Sequence, residues 1–166
     1  ATRDQAMSKA PSRDCDLLIV GAGPAGMAAA CAAAPSEARI VLVDDNPAPG
    51  GQIWRDGPAM PLPAAARAWR TALERHANIH VLSSTRVAGL GPGRSLLLED
   101  ADTGWAQGYG KLLLCTGARE LLLPFPGWTL PGVTGAGGLQ ALIKGGLPVA
   151  GERIVIAVSG PLLLAA

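Results

Sequence analysis

Residues 16–26 read DLLIVGAGPAG. An apolar run, Leu17 to Val20, breaks into glycines at Gly21, Gly23 and Gly26, spaced G-x-G-x-x-G. A short apolar run closed by turn residues predicts a buried strand. Residues 24–34, PAGMAAACAAA, predict an alanine-dense helix. Pro24 falls in its first turn, where a missing N–H costs nothing. Residues 39–43, RIVLV, predict a second strand ending at Asp44 and Asp45. Strand, helix and strand over about 30 residues make a right-handed, parallel βαβ unit.

In such a unit each glycine has a separate task. Gly21 permits the tight turn, Gly23 lets backbone approach a pyrophosphate, and Gly26 lets the helix lie close to the strand. The opening turn, with Pro24 and Ala25 as candidate contacts, brings the unpaired N–H groups of its non-proline residues and the positive end of the helix dipole. Asp44 lies about 20 residues beyond the glycines, where a carboxylate accepts hydrogen bonds from the adenosine ribose. Asp45 is the neighbouring candidate. Two acids here oppose a 2′-phosphate, and so oppose NADP. The glycine spacing alone does not choose between FAD and NAD.

Outward from this unit, residues 45–61 are a Pro/Gly loop containing PGGQIW (Pro49–Trp54). Residues 63–77 predict a helix with Ala64, Ala65, Trp69, Leu73 and His76 on one face, and 79–82 a third strand. From 84 to 115 short runs alternate with turn signals: STRVAGL, SLLLEDA, GWAQGYG and KLLLCTG. They predict a small antiparallel meander that returns into a buried strand at Leu112–Cys115. A Pro-rich connection (118–132), a helix (134–144) and a buried strand (153–157) follow. The chain closes on SGPLLLAA, the opening of a second strand–turn–helix, and is therefore expected to be part of a longer protein.

Hydrophobic residues make up 49% of the chain and charged residues 16%, a composition for a buried core and not for disorder. The formal net charge of +1 gives no electrostatic case for nucleic acid. Cys15, Cys31 and Cys115 form no C-x-x-C pair, so no metal site is expected. Reduced, structural thiols suit a cytoplasmic protein, peripheral to a membrane if it joins a complex. No apolar run nears the ~20 residues of a membrane span. The first residues, ATRDQAMSKAPSRD, lack the apolar core of a signal peptide, and Met7 is a candidate start. The histidines, His76 and His80, have no visible acid or nucleophile partner. Glu120 is expected to be solvated, and Phe125 and Trp128 to anchor packing. Trp54 and Arg55 are read two ways, as flavin neighbours or as core cover.

The order of these elements resembles the FAD half of flavoproteins with two dinucleotide-binding domains. PGGQIWR, CTGARE, PFPGWTLPGVTGAGGLQALIKGG and the GERIVIA–SGPLLLAA ending are similar to the FAD-binding A-type subunits of bacterial opine oxidases. The B-type subunit of hydrogen cyanide synthase is similar too. The resemblance covers residues 14–166. It implies cofactor contacts at Gly50, Gly51 and Gln52 on the Gly-Gly turn, at Val87 in the meander, and at Thr116 and Gly117 in the strand-end T-G-A motif. It implies FAD as cofactor, with an amine, amino-acid or opine substrate in a multi-subunit, dye-linked dehydrogenase. In glutathione-reductase-type enzymes a C-x4-C redox pair follows the Gly-Gly turn. Here that place reads GGQIWRDGPAM, so a dithiol relay there is excluded.

The expected fold class is α/β: a Rossmann-like FAD-binding parallel sheet with a small antiparallel insert, plus the start of a second Rossmann-like domain. The divisions are a tail (1–13), the FAD-binding part (14–118), a crossover (119–150) and the second opening (151–166). In that second opening Val158 replaces the first glycine, which disfavours NAD(P) there. No catalytic side chain is assigned. The partners expected are a small amine or amino-acid substrate, held on another subunit in one version, and a hetero-oligomer. Two other classes stay open: an NAD-dependent dehydrogenase with a single Rossmann site, and a non-catalytic flavin-binding electron-transfer or truncated subunit.

Overall fold

A computed structural model describes residues 14–57, 61–121 and 123–157. The expected tail (1–13), Val158 and Gly160 lie outside these residues. The described chain divides into two compact units.

The first unit spans residues 14–54 and 63–117. Its strands are β1 (Cys15–Val20), β2 (Ile40–Val43), β3 (Ile79–Leu82), β4 (Arg86–Leu90), β5 (Ser95–Glu99) and β6 (Gly104–Leu114). They form one six-stranded sheet in the order β3-β2-β1-β6-β5-β4. The pairs β3–β2, β2–β1 and β1–β6 are parallel, while β6–β5 and β5–β4 are antiparallel. This is a Rossmann-like α/β fold with a small antiparallel insert.

Two expected runs, GWAQGYG and KLLLCTG, merge into the single strand β6. Its first half, Gly104–Gly108, pairs with β5. Its second half pairs with β1 up to Leu114 against Val20. The expected division between the two runs falls at Gly110–Lys111. In the fold Gly108 and Gly110 sit where one strand passes from one ladder to the other, a usual place for strand glycine.

Strand periodicity splits the core between the two faces of the sheet. Ile19, Ile40 and Leu42 point to one side, where Met27 and Ala30 of α1 (Pro24–Ala33) and Leu73 of α2 (Ala64–Glu74) meet them. Leu18, Val41 and Val43 point to the other, against Leu96 and Leu98 of β5. The helix α1 follows from its alanines and from Pro24 at its start, and a 3-10 turn at Ala34–Ser36 ends it. The buried stripe of α2 differs from expectation. Ala66 and Leu73 are buried, Trp69 and Arg70 are half-buried, and Ala64 and Ala65 face solvent. Positions 66, 69, 70 and 73 keep the i, i+3, i+4, i+7 period. Alanine fits either side of a helix, so the sequence carried little information on which alanines turn inward.

The described residues of the second unit are 55–57, 61–62, 118–121 and 123–157, and they hold α3 (Ala136–Lys144). None of its described residues is buried. Phe125 and Trp128 are exposed, not packing anchors, because the described residues supply no core to receive them. Residues 153–157 form no strand. A strand needs a ladder partner, and the described part of this unit contains none.

Glu120 is not merely solvated. Its carboxylate accepts the backbone N–H groups of Gly137 (2.9 Å) and Gly138 (3.1 Å) at the start of α3. The N-cap position itself, Gly135, offers no side-chain cap. Glu120 thus satisfies first-turn donors from a distance along the chain, with the charge sign the helix dipole favours. Helix α3 is short and carries Gly137 and Gly138, each costing about 1 kcal/mol of helix propensity relative to alanine. Glu120→Ala is expected to remove a cap worth ~1 kcal/mol. Amide exchange over Leu139–Lys144 should accelerate about fivefold while β1 and β2 stay unchanged.

Candidate functional site

The register Leu114–Val20–Val43 brings three parallel strands to a common end. The chain leaves β1 at Gly21, β2 at Asp44 and β6 at Cys115. Open α/β sheets take ligands outside the carboxyl ends of their strands.

Gly21 has φ +103° and donates its N–H to the Val43 carbonyl at 2.7 Å. A Cβ there would overlap the Cys115 carbonyl group. Cys115 in turn donates its N–H to Val20 O at 2.7 Å, so the turn is clamped from both neighbouring strands. A Cβ on Gly26 would overlap the Gly21 carbonyl oxygen and stand 3.4 Å from Leu42 Cδ1. The close helix–strand packing expected of Gly26 is therefore present. Gly23 caps α1 with extended backbone and no side-chain bond, and its carbonyl accepts Met27 N–H at 3.0 Å. Pro24 has no N–H, so Ala25 and Gly26 bring the first donors of the helix to this end.

The Gly-Gly turn lies against this opening. Gly50 donates its N–H to Ala22 O at 2.8 Å, and Trp54 donates to Gly50 O at 3.1 Å. A Cβ on Gly51 would come within 2.9 Å of the Gly23 Cα. Two glycine turns distant in sequence are thus packed backbone to backbone. Gln52 follows on the exposed side, and Trp54 packs against the helix-side core.

Asp44 is buried. Its Oδ2 accepts the Ala22 N–H, and its Oδ1 accepts Asn46 N (2.8 Å) and Asn46 Nδ2 (2.7 Å). The acid assigned to a ribose from its spacing therefore also holds the glycine turn. Neither the Ala22 backbone nor Asn46 was singled out from sequence. The aspartate–x–asparagine spacing is the signal that finds the latter, because aspartate readily caps the N–H two residues on. Asp45 is exposed and accepts Asn46 Nδ2 at 3.1 Å. It lines a cleft of about 280 Å³ with Ser84, Arg86, Glu99 and Asp100. In that cleft Arg86 Nε pairs with Glu99, and the N–H groups of Thr103 and Asp102 hold the Asp100 carboxyl below its ordinary pKa. Ser84 N–H to Asn46 O and Thr85 N–H to Asp44 O, both 2.9 Å, tie this cleft to the end of β2.

The structure gathers Gly21, Gly23, Pro24, Ala25, Gly26, Asp44, Gly50 and Gly51 in one place, with Asp45 beside them. Thr116 and Gly117 continue past β6 and are exposed, Gly117 at φ +70°. Val87 stands apart on β4, paired with Leu98. Burial pushes the thiols of Cys15, Cys31 and Cys115 up, so each is a protonated thiol at neutral pH. Among the described residues no group of three or more His, Cys, Asp or Glu is placed to hold a metal ion. No described helix is long and apolar enough to cross a membrane.

The donor set suits an anionic, backbone-bound ligand. Glycines keep side chains out of the cradle, one helix start faces it, and a buried carboxylate borders it. These residues fit the pyrophosphate and ribose of a dinucleotide.

Comparison with known proteins agrees. The family described as pyridine nucleotide-disulphide oxidoreductase matches residues 15–157. The A-type subunit of the opine oxidase of Agrobacterium tumefaciens (strain Ach5) is 36% identical over 89% of this chain and 33% of its own length. Hydrogen cyanide synthase subunit HcnB of Pseudomonas aeruginosa is 40% identical over 88% of this chain and 34% of its own. The chain thus spans about a third of the length of these curated relatives. Among solved structures, a mutant of the flavoprotein disulfide reductase RclA of Escherichia coli, in its Cu(II) complex, superposes with a TM-score of 0.59. It is 21% identical and covers 80% of this chain and 35% of that one, a likeness of fold. By glycine turn, sheet order and sequence match, the chain belongs to the pyridine nucleotide-disulphide oxidoreductase family of FAD/NAD(P)-type flavoproteins.

Proposed function

We propose that this chain is the FAD-holding portion of an oxidoreductase subunit, in a complex that dehydrogenates a C–N bond of an amine, amino acid or opine. The observation that carries the reading is the packing of the Gly50–Gly51 turn onto Gly23 at the strand ends. A bare G-x-G-x-x-G turn suits any dinucleotide, whereas a second glycine turn laid over it suits a cofactor extended across both. The names of the relatives, subunits of opine oxidase and of hydrogen cyanide synthase, support the C–N substrate class and a hetero-oligomer. The crossover (119–150) and the opening of a second dinucleotide-binding domain (151–166) belong to the same proposal.

FAD, when bound, supplies the two-electron redox chemistry. The protein's part is to bind and orient. Ala25 and Gly26 would offer N–H groups to the pyrophosphate, with the helix dipole behind them. Gly23, Gly50 and Gly51 would keep the approach free of side chains. Asp44 has about four lone-pair positions, of which three already accept N–H donors, which leaves one for a ribose hydroxyl. Asp45, Glu99 and Asp100 make the adjacent cleft acidic, against a 2′-phosphate. Gln52 on the Gly-Gly turn would border the flavin side, Thr116 and Gly117 would close over the pyrophosphate region, and Val87, apart on β4, is carried as a contact by the resemblance alone. The thiols are raised and scattered, so the proposal assigns them no redox step.

Two measurements test this. The purified chain should show a flavin absorption spectrum after loading with FAD, and heat should release FAD, identified by chromatography. Binding of NAD with no affinity for FAD would replace the reading with a single-site nicotinamide enzyme. Separately, Asp44→Ala should weaken FAD binding by about 1.5–3 kcal/mol, roughly 10- to 150-fold. It should also lower stability by about 1–3 kcal/mol, since the Ala22 N–H loses its acceptor. Isothermal titration and thermal melts read the two effects apart. A larger affinity loss in Asp45→Asn would move the ribose role to Asp45.

A further inference from the structure

We propose that Arg70 is a positioning residue for the cofactor site, acting through the carbonyl of Pro49 on the Gly50–Gly51 turn. The functional part of this rests on the reading of the strand-end cradle as a cofactor site. The bracing itself does not.

The loop after β2 must bring Gly51 onto Gly23 with a segment that can donate little. Residues 47–49 read Pro-Ala-Pro, and neither proline has an N–H. Any backbone anchor there must come largely through carbonyls. Arg70, on the half-buried stripe of α2, donates Nε–H to Pro49 O at 2.7 Å. One residue later Gly50 donates its N–H to Ala22 O at 2.8 Å. The Pro49–Gly50 peptide is thus held at both polar ends: its oxygen by α2, its N–H by the glycine turn of β1. Two anchors on one peptide plane fix its rotation as well as its position, and so fix how Gly51 lies over Gly23. On the α2 side, packing leaves a gap at Pro49. Pro49 and Arg70 border a cleft of about 420 Å³ with Leu73, Glu74 and Ile79, so that side of the loop is not backed by close-packed side chains. A charged donor to a part-buried carbonyl is among the stronger hydrogen bonds available. A site displaced slightly by a loose support loses binding and geometry together.

The test compares Arg70→Met, which keeps an apolar stem and no donor, with Arg70→Lys, which keeps a donor. In the cofactor-free chain, Arg70→Met should speed amide exchange at Gly50 about tenfold and leave Leu18 and Ile19 in β1 unchanged. With FAD, it should raise the dissociation constant about tenfold and alter the visible circular dichroism of the bound flavin, a signature that a loss of stability alone does not produce. Arg70→Lys should recover most of both effects. Unchanged Gly50 exchange in Arg70→Met overturns the proposal. So do equal defects in Met and Lys, or exchange that rises throughout β1. If the parent chain binds no FAD, the cofactor reading fails, and the exchange measurement still decides whether Arg70 braces the turn.

Discussion

The close approach of Gly21 to the Cys115 carbonyl is the constraint on which the rest of this fold depends. It requires a residue with no Cβ and with φ above zero, and it requires β1 and β6 to end in register. Once those strands are flush, Gly21 N–H reaches Val43 O and the end of β2 is fixed as well. The helix α1 must then start immediately, and Gly26 lets it lie on the turn. A side chain at 21 would push β6 away and separate the three strand ends that make the cradle. Fold and candidate site are therefore not separable here, because the same backbone contacts define both.

That coupling explains what was legible in the sequence. Gly21, Gly23 and Gly26 stand at a spacing only a few backbone geometries need, and the apolar run before them fixes the strand. The βαβ unit follows, and so does the placement of Asp44. Illegible were interactions whose partners are distant in sequence and chemically ordinary. Nothing local says that Glu120 will reach Gly137 and Gly138, or that Arg70 will find Pro49 O. The alanines of α2 are apolar and small on both faces, so their burial was decided by the neighbours they meet. β6 read as two short runs because the sequence does not reveal that one strand can serve two ladders.

The sheet also shows why a meander of short strands is needed at all. A parallel sheet has two faces to cover, and β2 is apolar at every position, Ile40 to Val43. In a doubly wound fold helices would cover both. Here α1 and α2 cover one face, while Leu96 and Leu98 on β5 meet Val41 and Val43 on the other. The antiparallel insert is part of the core and not a surface decoration. It also returns the chain to β6 beside β1, which puts Cys115, Thr116 and Gly117 at the strand ends.

Asp44, picked out by its spacing from the glycines, has a structural role that the spacing does not reveal. A buried carboxylate without partners would be costly, and this one accepts three N–H groups. Those bonds tie the glycine turn, the end of β2 and the start of the following loop together before any ligand arrives. Binding then needs less ordering of the protein, and less ordering leaves more of the contact energy as affinity. The same carboxylate would act twice, once on its own backbone and once on the ligand. Substitutions at 44 are therefore expected to couple stability to binding, while substitutions at exposed Asp45 can separate them. An acid can be buried in this position because the glycine turn on one side and Asn46 on the other supply it with N–H donors.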